Sequence, residues 1–191
     1  MEKITLTTPR MTLRAPLLTD VDAITAACQD AELQRRVPLP VPYSRQSAVQ
    51  YVEKFSDGGW QAGRRCTWAL DHDGSFAGVI GIDLLGDGRG ELGYWLSSDW
   101  RGQGLLTEAA SRVIEIAFAP NPEGLGLERL GWRAFAGNVA SARVAQKLGF
   151  RFEGVARRAA VGRQGLEDDW LAGLLASDDR SPVKWSILEQ D

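Results

Sequence analysis

The sequence is poor in the side chains that most often bind metal ions. Its 191 residues include one histidine, His72, and two cysteines, Cys28 and Cys66, which lie far apart and without CxxC spacing. A structural zinc site takes about four such ligands close together, so we expect no bound metal. We interpret both cysteines as small buried hydrophobic residues.

Long apolar runs and an excess of positive charge are also missing. No apolar stretch approaches the roughly 20 residues that span a bilayer, and the N-terminal MEKITLTTPRMTLRAP lacks the apolar core of a signal peptide. The 22 basic and 25 acidic residues give a net charge of −3, whereas a general nucleic-acid binder is normally basic. These features predict a cytoplasmic protein that binds neither nucleic acid nor membrane.

The chain does have the composition and length of one globular domain. Apolar residues make up 44% of it and charged residues 25%, close to the averages for soluble proteins. The length suits one domain with a proper core and is short for two. We therefore predict a single domain over residues 1–191, with a core at about 5–178. A tail follows at 179–191, and its final KWSILEQD is either a docking segment or a frayed end.

The order of local patterns predicts a mixed α/β (α+β) fold. Alternating apolar residues between turn signals predict strands, and apolar residues at helical spacing predict helices. The predicted strands cover residues 5–15, 65–71, 76–85, 91–97, 128–135, 150–160 and 169–176. The predicted helices are one containing Val21 and Ile24, one capped by Ser44 and ending at Asp57-Gly58-Gly59, and those at 105–118 and 138–148. Because a helical crossover joins the strands before and after 105–118, those two strands should be parallel.

Two glycines stand directly before the helix that begins near Leu105. The stretch WRGQGLLTEA places Gly102 and Gly104 beside Arg101. Glycine costs about 1 kcal/mol relative to alanine inside a helix, so two of them at a helix start need a reason. The first amides of a helix lack intrahelical acceptors and carry a partial positive charge, and glycine lets an anion approach them. The pattern therefore indicates either a diphosphate site or a tight turn that needs positive φ.

Two segments carry a family resemblance. ELGYWLSSDWRGQGLLTEAASRVIEIAF resembles the acetyl-CoA motif, Q/R-x-x-G-x-G/A, of the GNAT superfamily of N-acetyltransferases. NVASARVAQKLGFRFEG resembles the N-x-x-S-x-x-V-A-x-K-L-G-F element of its ribosomal-protein-alanine (Rim-type) branch, which MTLRAP and DDWLAGLLASD also resemble. The chain departs from the motif at Asp99, where the family prefers glutamine or arginine, and an acid there would have to point away from a diphosphate.

The resemblance implies both a fold and a cofactor. The implied fold is a mixed, mostly antiparallel sheet of about six to seven strands, flanked by helices and splayed at a V between strands 4 and 5. The implied cofactor is acetyl-CoA, with its pantetheine arm between those strands. The cofactor-binding residues would be Leu96, Arg101, Gly102, Gln103, Gly104, Leu105, Leu106, Asn138 and Ser141. Residue chemistry alone favours capping over catalysis, with Asn138 as the N-cap of a helix and Ser141 as an ordinary residue of its first turn.

The implied reaction moves an acetyl group from a thioester to a primary amine. It requires a neutral amine, a stabilised oxyanion and a donor for the leaving thiolate. A backbone amide near Leu96 is the candidate for the oxyanion. Many relatives carry a tyrosine acid where this chain has Ala145, so Ser141 becomes the candidate donor. Glu91 is the first candidate for the base and Asp83 the second, although Glu91 is equally explained as a solvated residue after a turn.

We expect the acceptor to be a protein or peptide N-terminal α-amine. Its pKa is near 8, against about 10.4 for lysine, so it needs less help from a base. Two alternatives stay open: a small-molecule amine such as an antibiotic or polyamine, and a non-catalytic acyl-CoA-binding sensor. The sequence leaves the oligomeric state open.

Overall fold

The computed structural model describes residues 1–163 and 165–189. The strands in this part of the chain are Leu6–Thr7 (β1), Thr12–Arg14 (β2), Arg65–His72 (β3), Ser75–Gly86 (β4), Arg89–Leu96 (β5), Arg129–Phe135 (β6), Arg151–Gly162 (β7) and Gly165–Leu175 (β8). They form one eight-stranded sheet in the order β1-β2-β3-β4-β5-β6-β8-β7.

Helices connect and flank these strands. The α-helices are Val21–Ala27 (α1), Ala31–Arg36 (α2), Arg45–Gln50 (α3), Gly58–Gln61 (α4), Leu105–Phe118 (α5) and Val139–Lys147 (α6). A π-helix, Tyr51–Asp57, joins α3 to α4, and short 3-10 turns occur at Leu18–Asp20, Ser98–Trp100 and Ser186–Leu188. Among the described residues, no helix is both long enough and apolar enough to cross a membrane.

The topology confirms the predicted mixed, mostly antiparallel sheet. Its parallel pair is β5 with β6, on either side of α5, as the crossover argument requires. The ladder of this pair runs from Arg89 opposite Arg129 to Leu92 opposite Trp132, while β5 continues to Leu96 and β6 to Phe135. The sheet has eight strands, not six or seven, because the segment predicted as one strand at 5–15 folds into the hairpin of β1 and β2.

The helix capped by Ser44 ends later than predicted. Ser44 Oγ does accept from the Ser47 amide at 3.1 Å, as a cap should. Gly58 and Gly59, however, begin α4 and do not end the helical segment. A Cβ at Gly59 would lie 2.9 Å from the Cβ of Arg65, so close packing against β3 explains this glycine better than a turn does.

The chain divides into two compact units, the first comprising Met1–Leu84 and Gly93–Val113. One part of its core lies among the early helices and contains Val21, Ile24, Cys28, Leu33, Tyr43, Ala48 and Val52. Another part lies on β3, where Trp68 packs edge-on against Trp60 with ring centroids 5.3 Å apart. Both cysteines are buried, as predicted. Burial raises the pKa of Cys28 to about 11 and that of Cys66 to about 12.

The second unit comprises Leu85–Leu92 and Ile114–Asp191. Its core contains Leu130, Trp132, Ala142, Ala145, Phe150, Ala172, Leu174 and Trp185. Trp185 belongs to the segment predicted as a tail, yet it is 1% exposed and its Nε1 donates to the Phe150 carbonyl oxygen at 2.9 Å. The packed part of the chain therefore extends beyond the predicted limit at residue 178. The single-domain interpretation stays a prediction.

Candidate functional site

The glycine loop lies directly before the 14-residue helix α5. Gly102 and Gly104 have φ angles of +76° and +77°, the left-handed region that favours glycine. Apart from the adjoining residues, no heavy atom of the described residues lies within 4 Å of a Cβ added at Gly102, and at Gly104 the nearest is Arg10 Nη2 at 3.6 Å. The turn interpretation therefore holds, and the same geometry leaves open space beside the backbone.

Backbone amides are the main groups this loop could offer an anion. The Glu108 amide donates to the Gly104 carbonyl oxygen at 3.2 Å, so the regular hydrogen bonding of α5 begins there. Amides earlier in the first turn have no acceptor within the helix, and the helix dipole makes this end positive. The Leu105 side chain is fully buried and Leu106 is half-buried, which anchors the helix start. Leu105 and Leu106 would therefore contact a ligand through their backbone amides.

The Arg101 side chain turns back onto its own chain. Its Nε and Nη2 donate to the Leu96 carbonyl oxygen at 3.2 and 3.1 Å, and Nη2 also lies 3.1 Å from Asp30 Oδ1. Asp30 caps α2 by accepting from the Leu33 amide at 2.6 Å. That bond, followed by the contact with Arg101, lowers the pKa of Asp30. Asp30 thus offsets the positive charge that the sequence places at Arg101, and Arg101 ties the end of β5 to α2.

A second arginine at the loop escaped the sequence analysis. Arg10, in the turn between β1 and β2, donates from Nη1 to the Gln103 carbonyl oxygen at 3.0 Å and pairs through Nε with Glu108 at 2.6 Å. Burial alone would raise the pKa of Glu108, but hydrogen bonds from Thr8 and Arg10 lower it overall. Arg10 and Gln103 are 93 positions apart, so no local pattern connects them.

The remaining polar side chains near the loop form hydrogen bonds with neighbouring residues. Gln103 Nε2 donates to the Asp99 carbonyl oxygen at 2.9 Å, and the exposed Asp99 carboxylate accepts from Ser98 Oγ at 3.1 Å. Leu96, at the end of β5, is 8% exposed. The first unit therefore brings Leu96 and the loop 101–106 together.

The other predicted cofactor residues lie at the start of α6, in the second unit. Asn138 Oδ1 accepts from the Ser141 amide at 3.3 Å, so Asn138 is the N-cap of this helix. Ser141 Oγ accepts from Trp132 Nε1, also at 3.3 Å. Both Asn138 and Ser141 are half-buried. The structure thus brings these two residues together and holds Ser141 at its backbone and at its side chain.

The two candidate bases lie on different strands. Glu91 is half-buried on β5, opposite Gly131 of β6. Asp83, on β4, forms an ion pair with Arg65. Burial raises the pKa of Asp83, although Arg65 opposes the rise. Asp83 would have to loosen this ion pair to act as a base. Within residues 1–163 and 165–189, no group of three or more His, Cys, Asp or Glu side chains could hold a metal ion.

Comparison with known proteins identifies the family. The model of the acetyltransferase (GNAT) domain matches residues 10–151. The chain belongs to the GNAT acetyltransferase family. A relative, the uncharacterized N-acetyltransferase YoaA of Bacillus subtilis (strain 168), is 31% identical over 157 residues, which is 80% of this chain and 86% of YoaA. Family and relative together confirm an enzyme of the N-acetyltransferase class.

Solved structures confirm the GNAT fold. RimL, a ribosomal L7/L12 α-N-protein acetyltransferase solved with coenzyme A, superposes with a TM-score of 0.81 at 20% identity, covering 92% of this chain and 100% of RimL. Mycobacterium smegmatis RimJ, solved with a CoA-disulfide, gives 0.81 at 22% identity, covering 91% of this chain and 88% of RimJ. The neighbours in fold thus include the Rim-type enzymes whose motif the sequence resembles.

Proposed function

We propose that this GNAT enzyme uses acetyl-CoA to acetylate the α-amino group at the N-terminus of a protein or peptide. The observation that carries the proposal is the pair of left-handed glycines, Gly102 and Gly104, before a 14-residue helix, with open space at the α-carbon of Gly102. Backbone amides of Gly102–Leu106 would bind the diphosphate, since unpaired helix amides and the helix dipole both favour an anion. The CoA-bound structures of RimL and RimJ support this donor.

Hydrogen bonds from two arginine side chains stabilise the conformation of the loop and of the strand end before it. Arg10 steadies the loop through the Gln103 carbonyl, and Arg101 fixes the end of β5 at Leu96. The proposed oxyanion donor is a backbone amide near Leu96, whose placement depends on that fixed strand end. Asn138 orders the first turn of α6 and with it Ser141.

The reaction requires the amine to lose a proton and the thiolate that leaves to be stabilised. The attacking amine must be neutral, and an α-amine with a pKa near 8 is partly neutral at physiological pH. Glu91 is the proposed base for the proton that the amine loses. Ser141 donates a hydrogen bond to the departing sulfur, because the position of the usual tyrosine is taken by Ala145, which is fully buried and has no donor in its side chain.

The choice of acceptor rests on the Rim-type relatives. RimL is a ribosomal L7/L12 α-N-protein acetyltransferase. The motif resemblance points to the same branch, so a protein N-terminus is the proposed acceptor.

Thermal unfolding with acetyl-CoA, and with NAD as control, tests the donor. Ligand at about 100 times its Kd should add roughly 2.7 kcal/mol to the free energy of unfolding, which means a rise in Tm of about 5–10 °C for a chain of this size. Gly104→Val should abolish the rise, because its side chain occupies the space at the loop. Gly63→Val is the control for the strain of a valine at positive φ, since Gly63 has a φ of +62° and lies outside the loop. It should lower the Tm of the free protein and keep the rise.

A turnover assay then tests the acceptor. Release of free CoA thiol is measured with peptides bearing a free N-terminus, with the same peptides blocked at the N-terminus, and with polyamines and aminoglycosides. Activity confined to free N-termini is the expected result. Activity on small amines alone would contradict the proposed acceptor and identify a small-molecule acetyltransferase. Binding of acetyl-CoA without release of CoA thiol would identify a sensor. No Tm rise with acetyl-CoA in folded protein would refute the donor.

A further inference from the structure

Trp132 connects Ser141 to the core of the second unit. The indole ring of Trp132, on β6, is 2% exposed, and its Nε1 donates to Ser141 Oγ at 3.3 Å. An indole nitrogen can donate a hydrogen bond but cannot accept one. In this contact Ser141 is therefore the acceptor, and its own hydroxyl proton is directed elsewhere.

The donor ring has little freedom to move. Trp132 lies opposite Ala172 of β8 and Leu92 of β5 in the sheet. Its ring also packs against Trp185 with centroids 5.6 Å apart and an interplanar angle of 58°. Because Asn138 accepts a hydrogen bond from the Ser141 amide, the backbone and the side-chain oxygen of Ser141 are held by two separate hydrogen bonds.

We propose that Trp132 is a positioning residue for acetyl transfer and acts through Ser141. The indole N–H occupies one lone pair of the Ser141 oxygen, which restricts the directions in which the hydroxyl proton points. A hydroxyl that accepts a hydrogen bond is also polarised to donate a stronger one. Trp132 thereby helps Ser141 stabilise the sulfur that leaves as the C–S bond breaks. This inference rests on the proposed role of Ser141.

Trp132→Phe tests the inference, because phenylalanine keeps an aromatic ring in the core and removes the N–H. We expect kcat to fall roughly three- to tenfold, the effect of losing one modest hydrogen bond. The KM and Kd for acetyl-CoA should stay unchanged. In a Ser141→Ala background the same substitution should leave kcat unchanged, since a residue that acts through Ser141 has nothing left to position.

Trp185→Phe is the matched control. It removes a buried indole N–H from the same aromatic cluster, but that N–H donates to the Phe150 carbonyl oxygen and not to Ser141. We expect it to lower stability and to keep kcat close to the wild-type value. A second measurement leaves Trp132 unsubstituted. The NMR resonance of the Trp132 indole N–H should shift in Ser141→Ala, whereas the resonance of the Trp185 indole N–H should not.

The outcomes separate this inference from the proposed function. If the wild-type protein turns over substrate and Trp132→Phe has the same kcat, this inference is overturned and the proposed function is not. The same follows from an equal fall of kcat in the wild-type and Ser141→Ala backgrounds, or from an unshifted Trp132 resonance in Ser141→Ala. A wild-type protein that binds acetyl-CoA and turns over no amine would refute the proposed function, and this inference with it.

Discussion

At the scale of single residues, Ser141 of the second unit is held by one hydrogen bond at its backbone amide and one at its hydroxyl. Ser141 stands in the first turn of α6, with its amide bonded to Asn138 and its Oγ bonded to Trp132. Ala145, one turn further along, is fully buried and has no polar side-chain atom. On this element, Ser141 is therefore the better candidate for contact with the leaving sulfur.

Ser141→Ala should separate turnover from binding. The alanine keeps the helix and loses the hydroxyl, so the Kd of acetyl-CoA should stay the same while kcat falls on the order of 10², the loss expected when a hydrogen-bond donor to a developing negative charge is removed. Single-turnover kinetics and a binding titration measure the two quantities. Ser141→Thr, which restores a hydroxyl, should recover part of the rate. An unchanged kcat in Ser141→Ala would exclude Ser141 as the donor.

The charges of the first unit show why single residues cannot be judged from their type alone. Arg101 adjoins the glycines in sequence, yet its guanidinium pairs with Asp30 and the Leu96 carbonyl. Arg10 is far from the glycines in sequence and donates to the loop at Gln103. A diphosphate at this loop would thus depend on backbone amides more than on an adjacent free cation.

Among the elements, the close approach of β4 to the end of β5 positions the loop. A Cβ at Gly78 of β4 would lie 2.9 Å from the Cα of Leu96 and would also clash with the Trp95 carbonyl oxygen. The Ser97 amide donates to the Ala77 carbonyl oxygen at 3.0 Å, which holds this end of β5 against β4. Only glycine permits so close a contact, so Gly78 controls where β5 ends and the loop begins.

Gly78→Ala should lower the free energy of unfolding by about 1–3 kcal/mol, the usual cost of inserting a methyl group into a packed region. It should also weaken acetyl-CoA binding, because Leu96 and the following loop would shift. Urea unfolding and a binding titration measure both effects. Gly93→Ala on β5 is the control, since none of the described residues has a heavy atom within 4 Å of its added Cβ. Equal urea midpoints for the two variants would contradict this account.

For the whole molecule, the C-terminal segment contributes to the packing of the second unit. Trp185 contacts the rings of Trp132 and Phe152 with centroids 5.6 and 5.4 Å away. The Arg180 guanidinium lies over the Phe118 ring, 4.6 Å from its centroid. A Cβ at Gly149 would be 2.9 Å from the Asp179 carbonyl oxygen, so this glycine lets the segment pass close to the end of α6.

Trp185→Ala should lower the free energy of unfolding by about 3–5 kcal/mol, the range for truncating a buried tryptophan. Urea unfolding followed by circular dichroism measures the loss, and Trp185→Phe should retain much of the stability. An unchanged midpoint in Trp185→Ala would mean that the segment is not docked in solution. If residues 1–191 form one domain, as the sequence predicts, the wild-type protein should unfold in a single transition.

The sequence by itself determined the features that depend on neighbouring residues. The helix after Gly104, the caps at Ser44 and Asn138, and the parallel pair around α5 follow from turn residues, capping side chains and apolar spacing within short windows. The same short windows also produced the errors. The alternation across residues 5–15 conceals the turn at Arg10. Gly58 and Gly59 were predicted to end a helix, but they lie inside a helical segment, where Gly59 packs closely against β3.

Only the tertiary structure decided which distant residues meet. Arg10 reaches the loop at Gln103, Asp30 pairs with Arg101, and Trp132 donates to Ser141 because the register of the sheet and the packing of the helices bring them together. Likewise, Trp185 is buried because the other residues of the second unit pack around its ring. Local sequence patterns report propensity and periodicity, and they carry no information about which of many compatible side chains lies across a packed core.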